Sequence, residues 1–481
     1  MNVNELYAVG RCPKLWPCPV RAIIRAPFVP PHHEPRRSRG LDSPKGGRMQ
    51  SLYRAGFGLL GIIVAFAGSG VSPASAAQFS TLYSFCPDQP TCSAGSQPTG
   101  IFAAANGDLY GTAYNNNNAS PNPSGFIFKM TRGAGGQYTY SQFFSFPACA
   151  SNPNCPSGIY PSYLIIGKSG AVYGVAQGGT GGNERGILFK ITPGGQETVL
   201  YNFCSQANCT DGAQPDALTY LHKSDGADWD EVSPLYGVTA FGGTGYYGLG
   251  GTAFKYDPGT TQLTTIYNFC VAAGCHDGMQ PGGELAMTKG LLYGVNDGNS
   301  RACGILWQLN LNQPHHARAL HDFAKRCNTS DGDGTVPTGV LLSRNPGTGR
   351  NVLSGLAAQG GTGGVGEEWT YDPATGDYQV LTNFCPFPEC LLGYSPGSAL
   401  VKDARGNWYG FNTRGDSTGN PSGHGELFVT DQYGNGTAIH DFATGDQPLS
   451  PLVRWKNRIF GVTYAGGANG SGSVYMVLTG N

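Results

Sequence analysis

The sequence predicts an all-β chain folded as a seven-bladed β-propeller with four-stranded blades, the last blade closed by the N-terminal strand. Three observations carry the prediction. An aromatic-ended segment recurs with a period of about sixty residues, at Phe85, Phe146, Phe203, Phe269, Phe323, Phe384 and Phe442, and a fixed period of this size marks a solenoid, a propeller or an array. Each copy also carries two glycine marks in one order. The first is Tyr110-Gly111, Tyr173-Gly174, Tyr236-Gly237, Tyr293-Gly294, Ser354-Gly355, Tyr409-Gly410 and Phe460-Gly461. The second is a Gly-x-x-aromatic: Gly125 to Phe128, Gly186 to Phe189, Gly251 to Phe254, Gly304 to Trp307, Gly366 to Trp369, Gly425 to Phe428 and Gly472 to Tyr475. Finally, the ends match. Residues 78–85 (QFSTLYSF) stand as an isolated fourth strand before the first full copy, and the seventh copy stops after its third strand, 473–478 (SVYMVL). Pairing the two in one blade removes both open edges, a match that an open solenoid has no reason to show.

Within one copy the strands follow in order. In the fourth, residues 284–288 read as a strand, Lys289-Gly290 as a tight turn, 291–295 as a second strand, 304–309 as a third and 317–323 as a fourth. The sixth repeats this with 398–402, a turn at 403–406, then 407–411, 426–430 and 437–442. Four short strands between turn residues form a meander, and meanders in radial repetition are propeller blades. The first-to-second turns are short (168–170, 289–290), whereas the opposite end carries cysteine-bearing connectors and Gly-rich loops such as 178–182. A ligand is expected on that long-loop face, because binding residues concentrate on loops held by a rigid scaffold. An acidic insert on the tight-turn side, 222–233 (HKSDGADWDEVS), breaks the pattern and has no account from sequence.

Composition agrees with turn-rich β structure. Gly, at 75 residues, is about twice its usual share, the charged fraction of 13% is about half of normal, and aromatics reach 11%. The net charge of −1 advertises neither nucleic acid nor an anionic membrane as partner.

Residues 1–48, rich in Arg and Pro, lie outside the repeat and read as a mis-assigned start or a disordered extension. Met49 then opens a segment, residues 49–76, that reads as a signal peptide, with Arg54 as basic n-region, an apolar stretch over 55–71 and Ala74-Ser75-Ala76 as the cleavage site. A transmembrane anchor is the competing reading, disfavoured because the apolar run is short and broken by glycines. No Cys follows that site and the chain ends three residues after Leu478. A secreted protein, extracellular or periplasmic, with no membrane anchor after signal cleavage is therefore expected, spanning 77–481 as one propeller.

Stretches such as LYGVTAFGGTGYYGLGGTAFKYD (235–257) and FGVTYAGGANGSGSVYMV (460–477) resemble the GloVer tandem repeat of secreted and surface-anchored bacterial proteins. The resemblance covers essentially all of 78–481. It implies export and a propeller-like fold, and brings no established reaction or catalytic residue. The chain departs from the pattern in its paired cysteines, in lacking the C-terminal anchor of some members, and in Ser354 where Tyr is usual.

Of fourteen cysteines, all but Cys12 and Cys18 fall in the mature chain. Ten form close pairs: Cys86 with Cys92, Cys149 with Cys155, Cys204 with Cys209, Cys270 with Cys275, and Cys385 with Cys390. After a signal peptide such a set reads as disulfides. The remaining Cys303 and Cys327 form a sixth bridge, or Cys327 is free. Zinc would prefer ligands two residues apart and recurrent His partners, so no metal or cofactor is expected.

Other motifs have plain readings. Gly415-Asp416-Ser417-Thr418-Gly419 matches a nucleophile elbow, but that elbow needs a strand-to-helix turn. Asp331-Gly332-Asp333-Gly334 hints at a calcium loop yet lacks its Glu and spacing, and reads as a turn like Asp211-Gly212 and Asp277-Gly278. His315, His316, His321 and His440 read as packed or solvated side chains. The recurring Tyr110, Tyr173, Tyr236, Tyr293 and Tyr409 read as packing between blades, since a sugar site should be asymmetric.

The expected function is a secreted binding or scaffolding module, a monomer, with a glycan or protein partner over the long-loop face. The alternative is a polysaccharide-active enzyme, a lyase or glycosidase, using the central channel; a structural cell-surface protein is a third reading. Propellers host both binding and catalysis. Asp216, Glu284 and Arg454, near first strands, are the residues from which a channel site would be built.

Overall fold

The computed structural model describes residues 77–116, 124–148, 155–179, 185–223, 226–245, 248–298, 302–313, 317–324, 333–345, 348–385, 392–397, 399–420 and 423–480. They form seven antiparallel sheets, each a meander in chain order. Blade 1 is Ser96–Ala103, Leu109–Asn115, Phe126–Arg132 and Tyr138–Ser145; blade 2 is Cys155–Ile166, Val172–Gly179, Ile187–Ile191 and Glu197–Asn202. Blade 3 is Ala213–Thr219, Leu235–Phe241, Thr252–Asp257 and Gln262–Asn268; blade 4 is Met279–Thr288, Leu291–Asp297, Ile305–Asn310 and Ala317–Asp322. In blades 5 and 6 the first strand is split, as Gly334–Pro337 with Leu341–Arg344 and as Tyr394–Pro396 with Val401–Lys402. Their later strands are Asn351–Gly360, Glu367–Asp372 and Asp377–Asn383, and Trp408–Arg414, Glu426–Thr430 and Gly436–Asp441.

Blade 7 combines Pro448–Trp455, Arg458–Thr463 and Ser473–Leu478 with the N-terminal Gln78–Ser84. The register runs from Gln78 opposite Leu478 to Ser84 opposite Ser473. The surplus strand thus fills the vacant edge, as the chain ends predict. First strands contact one another from blade to blade, so they line the axis.

The repeat marks are the contacts that hold blades together. A Cβ on the second-strand glycine would meet the third-strand aromatic of the same blade at 2.0–2.5 Å in every case, from Gly111 against Phe128 to Gly461 against Tyr475. Glycine is there because the ring lies on its backbone. The recurring Phe, buried in all seven copies, meets the third-strand aromatic of the next blade. These seven pairs run from Phe85–Phe128 to Phe442–Tyr475 at centroid distances of 5.1–5.5 Å, edge-on or tilted. Such pairs contribute about 0.5–1.5 kcal/mol each beyond the apolar area they bury.

A further seam contact escaped the sequence reading. In each blade one first-strand residue preceding a proline is left-handed: Gln97, Tyr160, Gln214, Gln280, Val336, Ser395 and Ser450, with φ between +51° and +75°. That conformation is costly for a side-chain-bearing residue. It turns the N–H outward, where in six blades it donates to a carbonyl of the preceding blade at 2.8–2.9 Å, as in Gln280 to Gly250. The following proline then lies 2.2–2.8 Å from where a Cβ would stand on the preceding blade's Gly-x-x-aromatic glycine, in the pairs Gly125–Pro161, Gly186–Pro215, Gly251–Pro281, Gly304–Pro337, Gly366–Pro396 and Gly472–Pro98.

Strand bounds differ from expectation at the first strands. Blade 4 begins pairing at Met279 rather than 284 and slips register between Gly282 and Ala286, where the Gly283 N–H turns away to Asp216. In blade 6, Ser398 lies outside the described residues, and pairing resumes at Val401.

Candidate functional site

The axis is the first place to look for chemistry, because first strands from non-adjacent blades converge there. Tyr163 of blade 2 donates its hydroxyl to Glu284 Oε2 of blade 4 at 2.7 Å, a contact that skips blade 3. Lys223, from the insert after the first strand of blade 3, donates to the same Glu284 oxygen at 2.8 Å and also to the Tyr163 hydroxyl. Burial, reinforced by the Glu284 carboxylate, pushes the Tyr163 phenol well above its ordinary value. Asp216 stands beside this cluster and accepts the Gly283 N–H at 2.8 Å. The structure thus brings Asp216 and Glu284 to one place. Arg454 is elsewhere, exposed and donating to the Lys402 carbonyl at 2.8 Å.

Tyr163 and Lys223 were not singled out from sequence, although Tyr163 left a signal. Two residues past the first-strand proline the other six copies hold Gly100, Ala217, Gly283, Gly339, Ser398 and Val453, so an aromatic there is out of pattern. Lys223 belongs to the acidic insert, which the structure explains. Trp229 is fully buried and packs edge-on against Tyr173 of blade 2 at 4.6 Å. Its backbone exchanges bonds with Ile166 and Lys168 at 2.9 and 2.8 Å. Glu231 accepts from Ser169 N–H and Tyr173 hydroxyl at 2.7 and 2.8 Å, and Asp228 accepts the Ala105 N–H of blade 1 at 2.8 Å. The insert is a strap tying blade 3 to blades 1, 2 and 4. Burial opposes the Glu231 charge, but the Ser169 bonds, Tyr173 and Lys190 together hold its carboxyl below the usual range.

The opposite face carries the connectors that follow each recurring Phe. Disulfides close Cys86–Cys92, Cys204–Cys209 and Cys270–Cys275, with Cα separations of 4.2, 3.9 and 4.1 Å. Cys155, Cys303 and Cys385 are oxidised as well; Cys149, Cys327 and Cys390 lie outside the described residues. Oxidised cysteines in this number mark an oxidising compartment. The connector aspartates cap the loops: Asp211 accepts Ser205 N–H at 2.9 Å and Tyr201 hydroxyl at 2.8 Å, and Asp277 accepts Cys270 N–H at 3.1 Å and Tyr267 hydroxyl at 2.8 Å. Beside the Cys270–Cys275 loop lies an open groove of 420 Å³, lined by Tyr267, Val271, Ala272, His276, Asp277, Ala317 and Ala319. Val271 stands 61% exposed at its edge.

The remaining motifs take their plain readings. The segment 415–419 is a loop between second and third strands, and Ser417 donates its hydroxyl to Asp441 at 2.5 Å. Asp333 caps Ala324 N–H at 3.0 Å, while Asp331 and Gly332 lie outside the described residues. His321 stacks on Tyr378 at 3.7 Å and His440 on Phe79 at 3.6 Å; His315 and His316 are outside the description. Tyr110, Tyr173, Tyr293 and Tyr409 are buried in the core and Tyr236 is half-buried. Among the described residues, no cluster of three or more His, Cys, Asp or Glu is placed to hold a metal ion, and no helix is long and apolar enough to cross a membrane. Residues 1–76, including the segment read as a signal peptide, are not described.

No curated protein matches the chain. Among solved structures it is similar to a luciferin-regenerating enzyme, at 12% identity over 66% of this chain and 91% of that one, with a TM-score of 0.38. It is also similar to the calcium-binding protein regucalcin of Agrobacterium tumefaciens, at 14% identity over 67% of this chain and 91% of that one, with a TM-score of 0.38. The family profile of the Gloeobacter/Verrucomicrobia repeat matches residues 160–420. That span is more than half of the sequence, and the chain belongs to the Gloeobacter/Verrucomicrobia repeat family.

Proposed function

We propose that the chain is an exported, monomeric binding or scaffolding module whose ligand, a glycan or a protein partner, docks on the long-loop face. Residues 49–76 serve as the signal peptide and 77–481 as the mature propeller. The observation that carries this reading is the groove beside Val271, whose wall is a loop held by both the Cys270–Cys275 disulfide and the Asp277 cap. A preorganised loop loses little freedom on binding, so more of the contact energy appears as affinity. A glycan-array screen of the exported chain, with hits followed by mass spectrometry, tests it. Binding without turnover, weakened by Val271→Asp, is expected; binding indifferent to that change would remove the groove from the account.

A second reading rests on the axial cluster. A phenol, an amine and a carboxylate within hydrogen-bond reach could do acid–base work on a polysaccharide in the channel. In the present geometry these groups are spent on one another, which favours the binding role. Glycan cleavage abolished by Glu284→Gln would reverse the preference.

A further inference from the structure

The tight-turn face carries cations that, among the described residues, have no counter-charge, at the seam where blade 7 meets blade 1. Trp455 ends the first strand of blade 7 and donates its indole N–H to the Ala105 carbonyl of blade 1 at 2.9 Å. Three cations surround its ring: Lys456 Nζ at 4.5 Å, Arg132 Cζ at 4.8 Å and Arg458 Cζ at 5.8 Å from the centroid. Arg132 closes the third strand of blade 1 and Arg458 opens the second strand of blade 7, yet their guanidinium groups converge. A Cβ on Gly136 would lie 3.2 Å from Arg458 Nη2 and 3.8 Å from Arg132 Nη2. Both forks therefore reach one point, beside a residue with no side chain to occupy it.

Neither arginine is neutralised by its neighbours. Among the described residues no carboxylate oxygen lies within 4.0 Å of either guanidinium. The nearby Asp108 is engaged by Lys129 Nζ at 3.0 Å, by the Arg132 backbone N–H at 2.9 Å and by Asn106. Asp228 is taken by the Ala105 N–H. The Nε atoms of Arg132 and Arg458 are both buried without a hydrogen-bond partner among the described residues, a state that is costly for a charged group. The indole offsets part of this through cation–π attraction but gives the N–H groups no acceptor, and beside Arg458 the Tyr138 hydroxyl offers a neutral contact and no counter-charge. The contrast with the axis is direct, since Lys223 there has its carboxylate and these cations do not. The arrangement is also confined to one seam. Positions matching Arg132 hold Pro193, Pro258, Leu311, Pro373, Gln432 and Thr479, and those matching Arg458 hold Asp108, Ala171, Pro234, Leu291, Val352 and Asn407.

We propose that Arg132, Arg458 and Lys456, arrayed on Trp455, form a second binding site that takes an oxyanion group, carboxylate or sulfate, of an acidic polysaccharide. Two guanidinium forks match the planar geometry of such groups, and charge-assisted bonds to them are about twice as strong as neutral ones. The site is separate from the long-loop face, so the module would hold two ligands, or two parts of one, on opposite faces. Bound anion would also bridge the closing seam and so raise stability by mass action.

The test is calorimetric titration of the full chain with a uronic-acid oligosaccharide and, separately, with inorganic sulfate, at low and high salt, alongside melting curves. Arg132→Gln and Arg458→Gln should each weaken oligosaccharide binding at least tenfold and abolish the ligand-induced rise in Tm, while Arg318→Gln, on an outer strand, should change neither. Arg458→Lys keeps the charge but loses the fork and should fall between. If the glutamine variants fail to fold, the lysine variant and the wild-type salt dependence still decide. Sulfate binding lost in both variants, with no uronate binding, would keep the oxyanion site and overturn its assignment to a polysaccharide. Binding equal in wild type and variants, or no binding of either probe, would overturn the site itself.

Discussion

The backbone N–H of Gln97 donates to the carbonyl oxygen of Ser471 across 2.9 Å, joining blade 1 to blade 7 by the same contact that the Tyr160, Gln214, Gln280, Val336 and Ser395 N–H groups make at their own seams. Beside it, Gly472 sits at φ +97° with a hypothetical Cβ 2.4 Å from Pro98 Cδ. The ring is therefore closed by covalently unremarkable but tightly fitted backbone.

Gly472→Val should destabilise the chain by about 3 kcal/mol or more, adding overpacking to left-handed strain. Gly195 is also left-handed, at φ +81°, but a Cβ there meets nothing within 4 Å, so Gly195→Ala should cost only about 1 kcal/mol. Urea unfolding of both variants checks the difference, and equal losses would mean that the seam is not tightly fitted.

Three buried glutamates give stability a definite pH dependence. Burial raises Glu367 and Glu368 to about 7 and Glu426 to about 8; neither oxygen of Glu426 has a hydrogen-bond partner. Their unfolded values lie near 4.5, so between there and 7–8 the folded state binds more protons. Their contribution is full below about pH 4.5 and is lost as pH rises through 7 to 8. Acids held low, such as Asp108 and Glu231, act oppositely and lose their contribution at acid pH. Tm should therefore peak on the acid side of neutrality and fall toward pH 8.5. Glu426→Gln should flatten that alkaline fall, and an unchanged slope would show that Glu426 does not titrate as described.

Trp229→Ala should cost about 3–5 kcal/mol, as for a large fully buried aromatic, although the residue lies in an insert without counterpart in other blades. The readout is chemical denaturation; a loss under 1 kcal/mol would show that the strap is ornamental.

Non-reducing peptide mapping should recover six bridges, including Cys149–Cys155, Cys303–Cys327 and Cys385–Cys390. Replacing both Cys270 and Cys275 by Ser should cost roughly 2 kcal/mol in the chain-entropy model, leaving the propeller folded. Free thiols at Cys204 or Cys270 would contradict the structure.

The fold was legible because its determinants are local and repeated. Phe269, Gly294 and Trp307 recur in register, and each blade needs the same three to pack on the next. The left-handed residue before each first-strand proline was missed because residues of many types fill it, from Gln97 to Val336 to Ser450, leaving a backbone conformation without a side-chain signature. The axial cluster was half visible. Glu284 and Asp216 were named from their place near first strands, but Lys223 reaches Glu284 from an insert with no counterpart elsewhere in the repeat. Arg132 and Arg458 meet only because the ring closes, and nothing in the spacing of either shows it.

The most direct test of the account is removal of residues 78–84, the strand that pairs with Ser473–Leu478. If this strand closes the ring, its loss exposes an edge and strips Phe79 from Tyr475, its stacking partner at 5.2 Å. Tm should fall by about 10 °C or more and unfolding should lose cooperativity. A truncated chain that melts at the wild-type temperature in one sharp transition would contradict closure by the N-terminal strand.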